Sequence, residues 1–145
     1  MDRQAQFQGR PWELQKVRTT CSYCGVGCQM NLHVKDGRLV KVTGADEVPN
    51  RGRLCVKGRF GWQFVHHPER LKTPLILENG ELRKASWDEA LDFIVIRLQE
   101  IKAQAGSEKI GGWCSARVTN EENYLMQKFL RAVLGTNHVD HCARL

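Results

Sequence analysis

The sequence predicts an α+β protein in which a small β-rich domain precedes the incomplete start of an α/β domain. Three observations predict this order: a hairpin of alternating apolar residues in the first third, two helical periods after residue 85, and four of six cysteines within the first 55 residues. We expect an amino-terminal extension over residues 1–16, the β-rich domain over 17–72 and the α/β segment over 73–145.

The β-rich domain is predicted from a strand, a cysteine loop and a hairpin. Residues 16–20 are typical of a short strand that enters the loop. Apolar residues alternate with polar ones over residues 30–34 and again over 40–42, and Asp36-Gly37 between them favours a type I′ turn. The first unit is therefore expected to be a small sheet wrapped around whatever the cysteines bind.

The first helix of the α/β segment is predicted from a capping box. Ser86 precedes Glu89 at the required spacing, and apolar residues then recur with a helical period until Gly106. The next segment, residues 109–114, is short, apolar and compatible with a strand. The pattern of helix followed by strand is typical of an α/β layer.

A second capping box predicts the second helix. It is formed by Thr119 and Glu122, and the helix should end at Gly135, after which residues 138–145 favour another strand. Two helices with one or two short strands cannot close an α/β sheet. The sequence therefore predicts that this domain is incomplete.

Composition excludes two classes of partner. No apolar run approaches the roughly 20 residues of a membrane span, and the amino terminus lacks the features of a secretory or twin-arginine signal, which favours the cytoplasm. The net charge of +6 favours an anionic partner, but Lys and Arg are scattered and never form a run longer than two. A buried polyphosphate cofactor would fit this charge equally well, so charge alone leaves the partner open, and with no nucleic-acid-binding motif in the sequence we expect no nucleic-acid partner.

The cysteine spacing C-x2-C-x3-C-x26-C indicates a metal site. Its members are Cys21, Cys24, Cys28 and Cys55. Thiolates are ligands for iron–sulfur clusters and for zinc, and a cubane takes one thiolate at each of its four irons. Zinc sites more often use two paired knuckles, and the second half here offers one cysteine. A [4Fe–4S] cluster is favoured, with structural zinc and unliganded core cysteines as the alternatives.

The motifs around these cysteines resemble the bis-molybdopterin guanine dinucleotide oxidoreductase family. The resemblance extends from about Val17 to the end of the chain, over five segments. They are Cys21-Ser-Tyr-Cys-Gly-Val-Gly-Cys28, Gly52-Arg-Leu-Cys-Val-Lys-Gly58, Arg70-Leu-Lys-Thr-Pro74, Ser86-Trp-Asp-Glu-Ala90 and Asn123-Tyr-Leu-Met-Gln-Lys-Phe129. The resemblance implies an amino-terminal [4Fe–4S] domain, followed by the start of a molybdopterin-binding domain.

Within this family, Gly135-Thr-Asn-His-Val-Asp-His-Cys-Ala-Arg-Leu145 most resembles formate dehydrogenase catalytic subunits. The resemblance implies that a metal-ligating selenocysteine or cysteine follows Leu145, and a reading frame ended at a selenocysteine codon is one hypothesis. The 145 residues alone are expected to be inactive and poorly soluble. The alternatives are another family member such as a nitrate reductase, a non-catalytic iron–sulfur electron-transfer module and, more distantly, a zinc-binding scaffold.

The resemblance also implies roles for individual residues. Lys57 is expected to lie between cluster and pterin and to assist electron transfer, while Arg117 and Thr119 are candidate pterin-phosphate contacts. Cys142 and Arg144 flank the missing metal ligand. The implied cofactors are the cluster and a molybdenum or tungsten bis-molybdopterin guanine dinucleotide. The implied partners are formate and carbon dioxide, the rest of the catalytic subunit, and an iron–sulfur, hydrogenase or NAD-reducing subunit.

Overall fold

The structure is a computed structural model that describes residues 14–142, and the chain divides into two compact units between Pro68 and Glu69. Most of the predicted extension over residues 1–16, together with Arg144 and Leu145, lies outside the described residues. Short sheets combined with helices confirm the predicted α+β class. The predicted boundary between residues 72 and 73 stays a prediction.

The first unit is built on a three-stranded antiparallel sheet in the order β1-β2-β3. The strands are β1 (Gln15–Thr20), β2 (Gln29–Lys35) and β3 (Arg38–Gly44). The turn between β2 and β3 has positive φ angles at Asp36 (50°) and Gly37 (72°), so the predicted type I′ hairpin is confirmed. The register shifts between His33 and Val34, and this irregularity bends the hairpin.

Two short helices complete the first unit, and neither was predicted. They are α1 (Val56–Phe60) and a 3-10 turn (Gln63–His66). The backbone N–H of Leu39 in β3 donates to Nε2 of His66 at 2.8 Å, which ties this turn to the sheet. Helices of four or five residues are too short to display a hydrophobic period, so no periodic signal predicts them.

The second unit begins with a hairpin that the sequence analysis missed. Its strands are β4 (Leu75–Glu78) and β5 (Glu81–Lys84), joined by Asn79 and Gly80 with φ angles of 53° and 86°. Asn-Gly is a strong hairpin signal in a sequence. The signal was present, but each strand has only four residues and neither shows a clear alternation.

The first long helix, α2 (Trp87–Ala105), follows the prediction. The Ser86 hydroxyl accepts the backbone N–H of Glu89 at 3.1 Å, and Gly106 with a φ of 87° ends the helix. The predicted strand over residues 109–114 was wrong at its start. A 3-10 turn (Ser107–Lys109) comes first, and β6 covers Gly112–Ser115.

The second helix begins after Thr119, as predicted, and changes its winding before it ends. It consists of α3 (Asn120–Lys128) and a π-helical segment (Phe129–Leu134), and Gly135 ends it in the left-handed conformation. β7 (Val139–Cys142) then pairs parallel with β6. The expected α/β arrangement is thereby confirmed within the described residues.

The core of the second unit lies where the π-helical segment packs against the sheet. Ile110, Leu130 and Leu134 are buried there. Many apolar side chains of α2 and α3 are nevertheless exposed, including half of the surface of Leu91 and 65% of Tyr124. Both helices therefore present apolar side chains at the surface of the second unit. Across residues 14–142, no helix combines the length and apolarity needed to cross a bilayer.

Candidate metal centre

The three closely spaced cysteines lie in one loop between β1 and β2. The backbone N–H of Cys21 donates to the carbonyl of Cys28 at 2.8 Å and closes the loop at its base. Gly27 has a φ of 71°, which glycine adopts without steric cost. Cys21 is buried, whereas Cys24 and Cys28 are partly exposed. The loop therefore brings three thiols to one end of the sheet.

The fourth cysteine, Cys55, lies immediately before α1 and is its N-cap residue. Hydrogen bonds from the backbone N–H groups of Gly58 and Lys57 lower the pKa of the Cys55 thiol, and desolvation opposes part of this effect. The positive charge of Lys57 lowers the pKa further. This environment favours the thiolate, which is the form of cysteine that binds metals.

The structure brings the four predicted ligands together. Desolvation raises the pKa of the Cys28 thiol, and the negative charges of Cys21, Cys24 and Cys55 raise it further, because the four sulfurs are close enough to repel one another when ionised. The helix α1 packs against the loop, since a Cβ built on Gly58 would lie 3.4 Å from Sγ of Cys21. All six cysteines are free thiols.

The donor set fits an iron–sulfur cluster. Four adjacent thiolates repel each other, and bound iron would supply the positive charge that offsets this repulsion. A [4Fe–4S] cluster takes one thiolate at each iron, so one loop with three thiols and a second segment with one match its needs. Among residues 14–142, no three His, Cys, Asp or Glu side chains are already arranged to hold a metal ion, so the structure places the four thiols within electrostatic range of one another without a finished ligand geometry.

A cleft of about 490 Å³ opens beside two of the four cysteines. Most of its lining comes from the turn that leads to Cys55, and two arginines contribute to it. The lining residues are Cys28, Pro49, Asn50, Arg51, Arg53, Leu54 and Cys55. The cleft thus combines thiol ligands with positive charge.

Tyr23, between the first two cysteines of the loop, connects the loop to α1. Its hydroxyl donates to the carbonyl of Gly61, the residue that ends the helix. A Cβ on Gly61 would lie 2.5 Å from that hydroxyl oxygen, so the contact requires a glycine. The sequence analysis assigned no role to Tyr23, because no local pattern signals a bond between residues 38 positions apart.

Lys57 lies in α1, two residues after Cys55, and its side chain is exposed. Its ammonium is close enough to the Cys55 sulfur to lower the pKa of that thiol. The prediction that Lys57 lies between the cluster and a pterin requires the pterin itself. It stays a prediction, as does its role in electron transfer.

The second group of candidate residues lies at the carboxyl ends of two parallel strands. Ser115 ends β6 and is in register with Cys142, which ends β7. The Ser115 hydroxyl lies 3.7 Å from Sγ of Cys142 and accepts the backbone N–H of Arg117 at 3.0 Å. The Asn123 amide holds Ser115 from the other side, since it donates to the carbonyl at 3.0 Å and accepts the N–H at 3.4 Å.

Arg117 and Thr119 differ in whether their side chains already make hydrogen bonds that stabilise the fold. Arg117 is exposed in the loop between β6 and α3. The Thr119 hydroxyl accepts the N–H of Glu122 at 3.3 Å and donates to its carboxylate at 2.9 Å, which completes the predicted capping box. Capping therefore already occupies the Thr119 hydroxyl. The proposed phosphate contacts of both residues stay predictions.

Cys21, Cys24, Cys28 and Cys55 are called the four-thiol group. Cys114, His141 and Cys142 lie outside it. Cys114, expected in the core, is only partly buried in β6. His141 and Cys142 are exposed, and Nδ1 of His141 lies 3.1 Å from the carbonyl of Cys142. Arg144, the other predicted neighbour of a metal ligand, is outside the described residues.

Two family models match the chain, one after the other. Residues 14–67 match the molybdopterin oxidoreductase Fe4S4 domain, and residues 70–145 match the molybdopterin oxidoreductase domain. The first match contains the four-thiol group, and the second contains the carboxyl edge of β6 and β7. The matches meet where the two compact units divide.

Several curated proteins are similar to nearly the whole chain. The F420-dependent formate dehydrogenase 1 subunit alpha of Methanococcus maripaludis is 52% identical over 92% of the chain, which covers 19% of that protein. Formate dehydrogenase H of Escherichia coli is 47% identical over 91%, again 19% of that protein. The NADPH-Fe(3+) oxidoreductase subunit alpha of Geobacter sulfurreducens is 40% identical over 96%, or 16% of that protein. The chain thus spans less than one fifth of these relatives.

Proposed function

The chain belongs to the molybdopterin oxidoreductase family, and from this membership we propose that it is the amino-terminal segment of a formate dehydrogenase, or carbon dioxide reductase, catalytic subunit. The grouping of four free thiols is the observation that carries the proposal. Relatives named as formate dehydrogenases at 47–52% identity support the substrate. The proposal concerns the whole protein, of which these residues supply one part.

We propose that Cys21, Cys24, Cys28 and Cys55 hold the [4Fe–4S] cluster. When bound, such a cluster accepts and releases one electron at a time, whereas formate oxidation releases two electrons together. The protein's own part is to hold the sulfurs at fixed positions and to stabilise their negative charge. The N–H groups of Gly58 and Lys57 serve the second purpose at Cys55.

We propose that Lys57 provides the contact between this site and a pterin. The side chain is exposed and next to a thiol, so it has both the reach and the position for such a contact. An ammonium there would donate hydrogen bonds to the pterin and offset the negative charge of the sulfurs. Its removal should slow electron transfer more than it affects cluster retention.

We propose that the carboxyl edge of β6 and β7 binds the pterin phosphates. Ligands of open α/β sheets bind where parallel strands end, and the N–H groups at the start of a helix attract anions. Arg117 is exposed at this edge and carries the charge for a phosphate. Thr119 would then act by fixing the start of α3, and any direct contact would use its remaining lone pair.

The finer assignments follow from the same proposal. We propose a cytoplasmic enzyme with molybdenum or tungsten as its metal, and with a selenocysteine or cysteine ligand from a part of the protein outside this sequence. Its electrons would pass to a separate iron–sulfur subunit, with a hydrogenase or an NAD-reducing subunit as alternatives. Names of relatives support partner subunits of some kind, since four of them are called alpha subunits.

The test is the activity of the complete protein expressed without oxygen. We expect formate-dependent reduction of a viologen dye, with iron and acid-labile sulfide bound in equal amounts. Cys55→Ser should lose most of that iron, while Cys114→Ser, a cysteine outside the four-thiol group, should retain it. Nitrate reduction or NADPH oxidation without formate turnover would assign a different substrate. A colourless wild-type protein containing only zinc would overturn the redox assignment.

A further inference from the structure

The inference concerns the side chain that joins the two segments of the four-thiol group. Three of the cysteines are in the loop after β1, and Cys55 arrives separately, after a turn over residues 45–53. The two segments must keep a fixed separation, because a rigid cluster bridges them. Tyr23 makes one connection, to Gly61 at the carboxyl end of α1. Asn50 makes another, at the cleft, beside the backbone bond from Ala45 N–H to the carbonyl of Gln29 at 2.9 Å.

Asn50 forms hydrogen bonds with both segments at once. Its Oδ1 accepts the backbone N–H of Gln29 at 2.7 Å, and its Nδ2 donates to the carbonyl of Gln29 at 2.9 Å. The same Nδ2 donates to the carbonyl of Arg53 at 2.8 Å. Gln29 directly follows Cys28, and Arg53 is two residues before Cys55. A single amide therefore links the neighbours of two of the four thiols.

Only an amide of this length meets these needs. The three bonds require one acceptor and two donors on a short side chain, which is the inventory of asparagine. Aspartate has the same shape but no donor, so the carbonyls of Gln29 and Arg53 would lose the Nδ2 donor and face a new negative charge, although the carbonyl of Gln29 would keep the backbone N–H of Ala45 at 2.9 Å. Alanine would remove all three bonds and leave a gap in the wall of the cleft.

The turn itself does not depend on the Asn50 side chain. Backbone bonds hold it: Gly52 N–H donates to the carbonyl of Ala45 at 2.8 Å, and Arg53 N–H donates to the carbonyl of Asn50 at 2.9 Å. Gly44 and Gly52 also pack so closely that a Cβ on Gly44 would overlap the carbonyl of Gly52. A change at position 50 should therefore alter the link between the segments while the fold persists.

We propose that Asn50 is a positioning residue for the cluster, which fixes the separation of Cys28 and Cys55 by binding both adjacent backbones. The inference rests on the proposed cluster. Asn50 is partly buried and lines the cleft with both cysteines. Its loss would let the Cys55 segment move relative to the loop. That movement would weaken the binding of the cluster and change the geometry at its irons.

The test compares Asn50→Ala and Asn50→Asp with wild type in the complete, anaerobically purified protein. A chelator should remove iron from both variants at least tenfold faster, a change that corresponds to about 1.4 kcal/mol and is within what the loss of two or more such bonds can supply. The electron paramagnetic resonance spectrum of the dithionite-reduced protein should also change, which a general loss of stability would not cause. Thr43→Val is the matched control, because it removes a 2.9 Å side-chain bond to His33 in the same unit.

The outcomes separate this inference from the proposed function. Wild-type kinetics and spectra in both Asn50 variants would overturn the positioning role while the cluster stands. An effect of Asn50→Asp without one of Asn50→Ala would also overturn it, because charge alone would then be the cause. If Thr43→Val changes iron loss and the spectrum as much as the Asn50 variants do, Asn50 contributes only to the general stability of the unit, and the positioning role is overturned. A wild-type protein without iron would overturn the proposed function, and the inference with it.

Discussion

The adjacent glycines Gly111 and Gly112 should respond in opposite ways to alanine. A Cβ on Gly112 would lie 2.2 Å from Cδ1 of Leu130, so that side chain would have to retreat by about 1 Å to reach an ordinary contact. Leu130 is only 2% exposed and has no free space to enter. Overpacking of this kind costs roughly 1–3 kcal/mol, so Gly112→Ala should lower the urea midpoint of unfolding.

Gly111→Ala is the matched control. Its Cβ would meet the carbonyl of His138 at 3.5 Å, an ordinary contact, and its backbone is not in the left-handed region. We expect no loss of stability, and a gain of up to about 1 kcal/mol through reduced freedom of the unfolded chain. Sequence alone cannot distinguish these two glycines.

A double-mutant cycle tests the cause. Leu130→Ala alone should cost roughly 2–5 kcal/mol, because it empties a fully buried site. In the double variant, the methyl group of Ala at position 112 enters the vacated space, so the combined loss should be smaller than the sum of the single losses. Additive losses, or a Gly112→Ala variant as stable as wild type, would refute the packing argument.

Three further predictions concern the capping box of α3 and the hydrogen bond from Tyr23 to Gly61. Thr119→Ala should lower the free energy of unfolding of the second unit by about 1 kcal/mol, measured by urea titration, because the N-cap bond is lost. The N–H and hydroxyl of Thr119 lower the pKa of Glu122 in the folded protein. The Glu122 carboxylate therefore stabilises α3 fully above its ordinary pKa of about 4.5, and this stabilisation is lost as the pH falls through the lowered folded pKa. Wild type and Glu122→Gln should consequently converge in free energy of unfolding in acid, as urea titrations at several pH values would measure. Tyr23→Phe should cost about 1 kcal/mol by leaving the carbonyl of Gly61 without its donor, as thermal unfolding of the first unit would measure.

The sequence predicted the elements that carry their own local signals. The Asp36-Gly37 turn and the Thr119 cap were correct because each depends on residues within a few positions. The strand predicted to start at Lys109 was wrong at its start, because Lys109 ends a 3-10 turn of only three polar residues, which is too short to show a pattern of its own, and β6 begins at Gly112. The π-helical winding after Lys128 has no sequence signal, since it reflects packing of Leu130 and Leu134 in the core.

The candidate site likewise contains residues that could be predicted from the sequence and residues that could not. The cysteines were predicted from spacing and resemblance, and their grouping followed from the fold. The residues that hold the group together were not predicted. The role of Asn50 has no sequence signal, because its bonds to Gln29, 21 positions away, exist only once β2 and the turn are adjacent. Ligands can be predicted from their own chemistry, whereas the residues that position them depend on tertiary structure.

The two units provide two different ways to hold a charged group. In the first, an antiparallel sheet supports loops whose thiols are proposed to ligate the cluster directly, so that site would need few residues, held together by hydrogen bonds such as those of Asn50 and Tyr23. In the second, β6 and β7 run parallel, and both must end at the same edge. The chain then passes from Ser115 through Arg117 into α3, whose first N–H groups lie at that edge. Backbone donors and one exposed arginine there suit an anionic group with many oxygens, which thiols do not. Under the proposed function, the order of the units would place electron transfer and cofactor phosphate binding on separate structural supports within one chain.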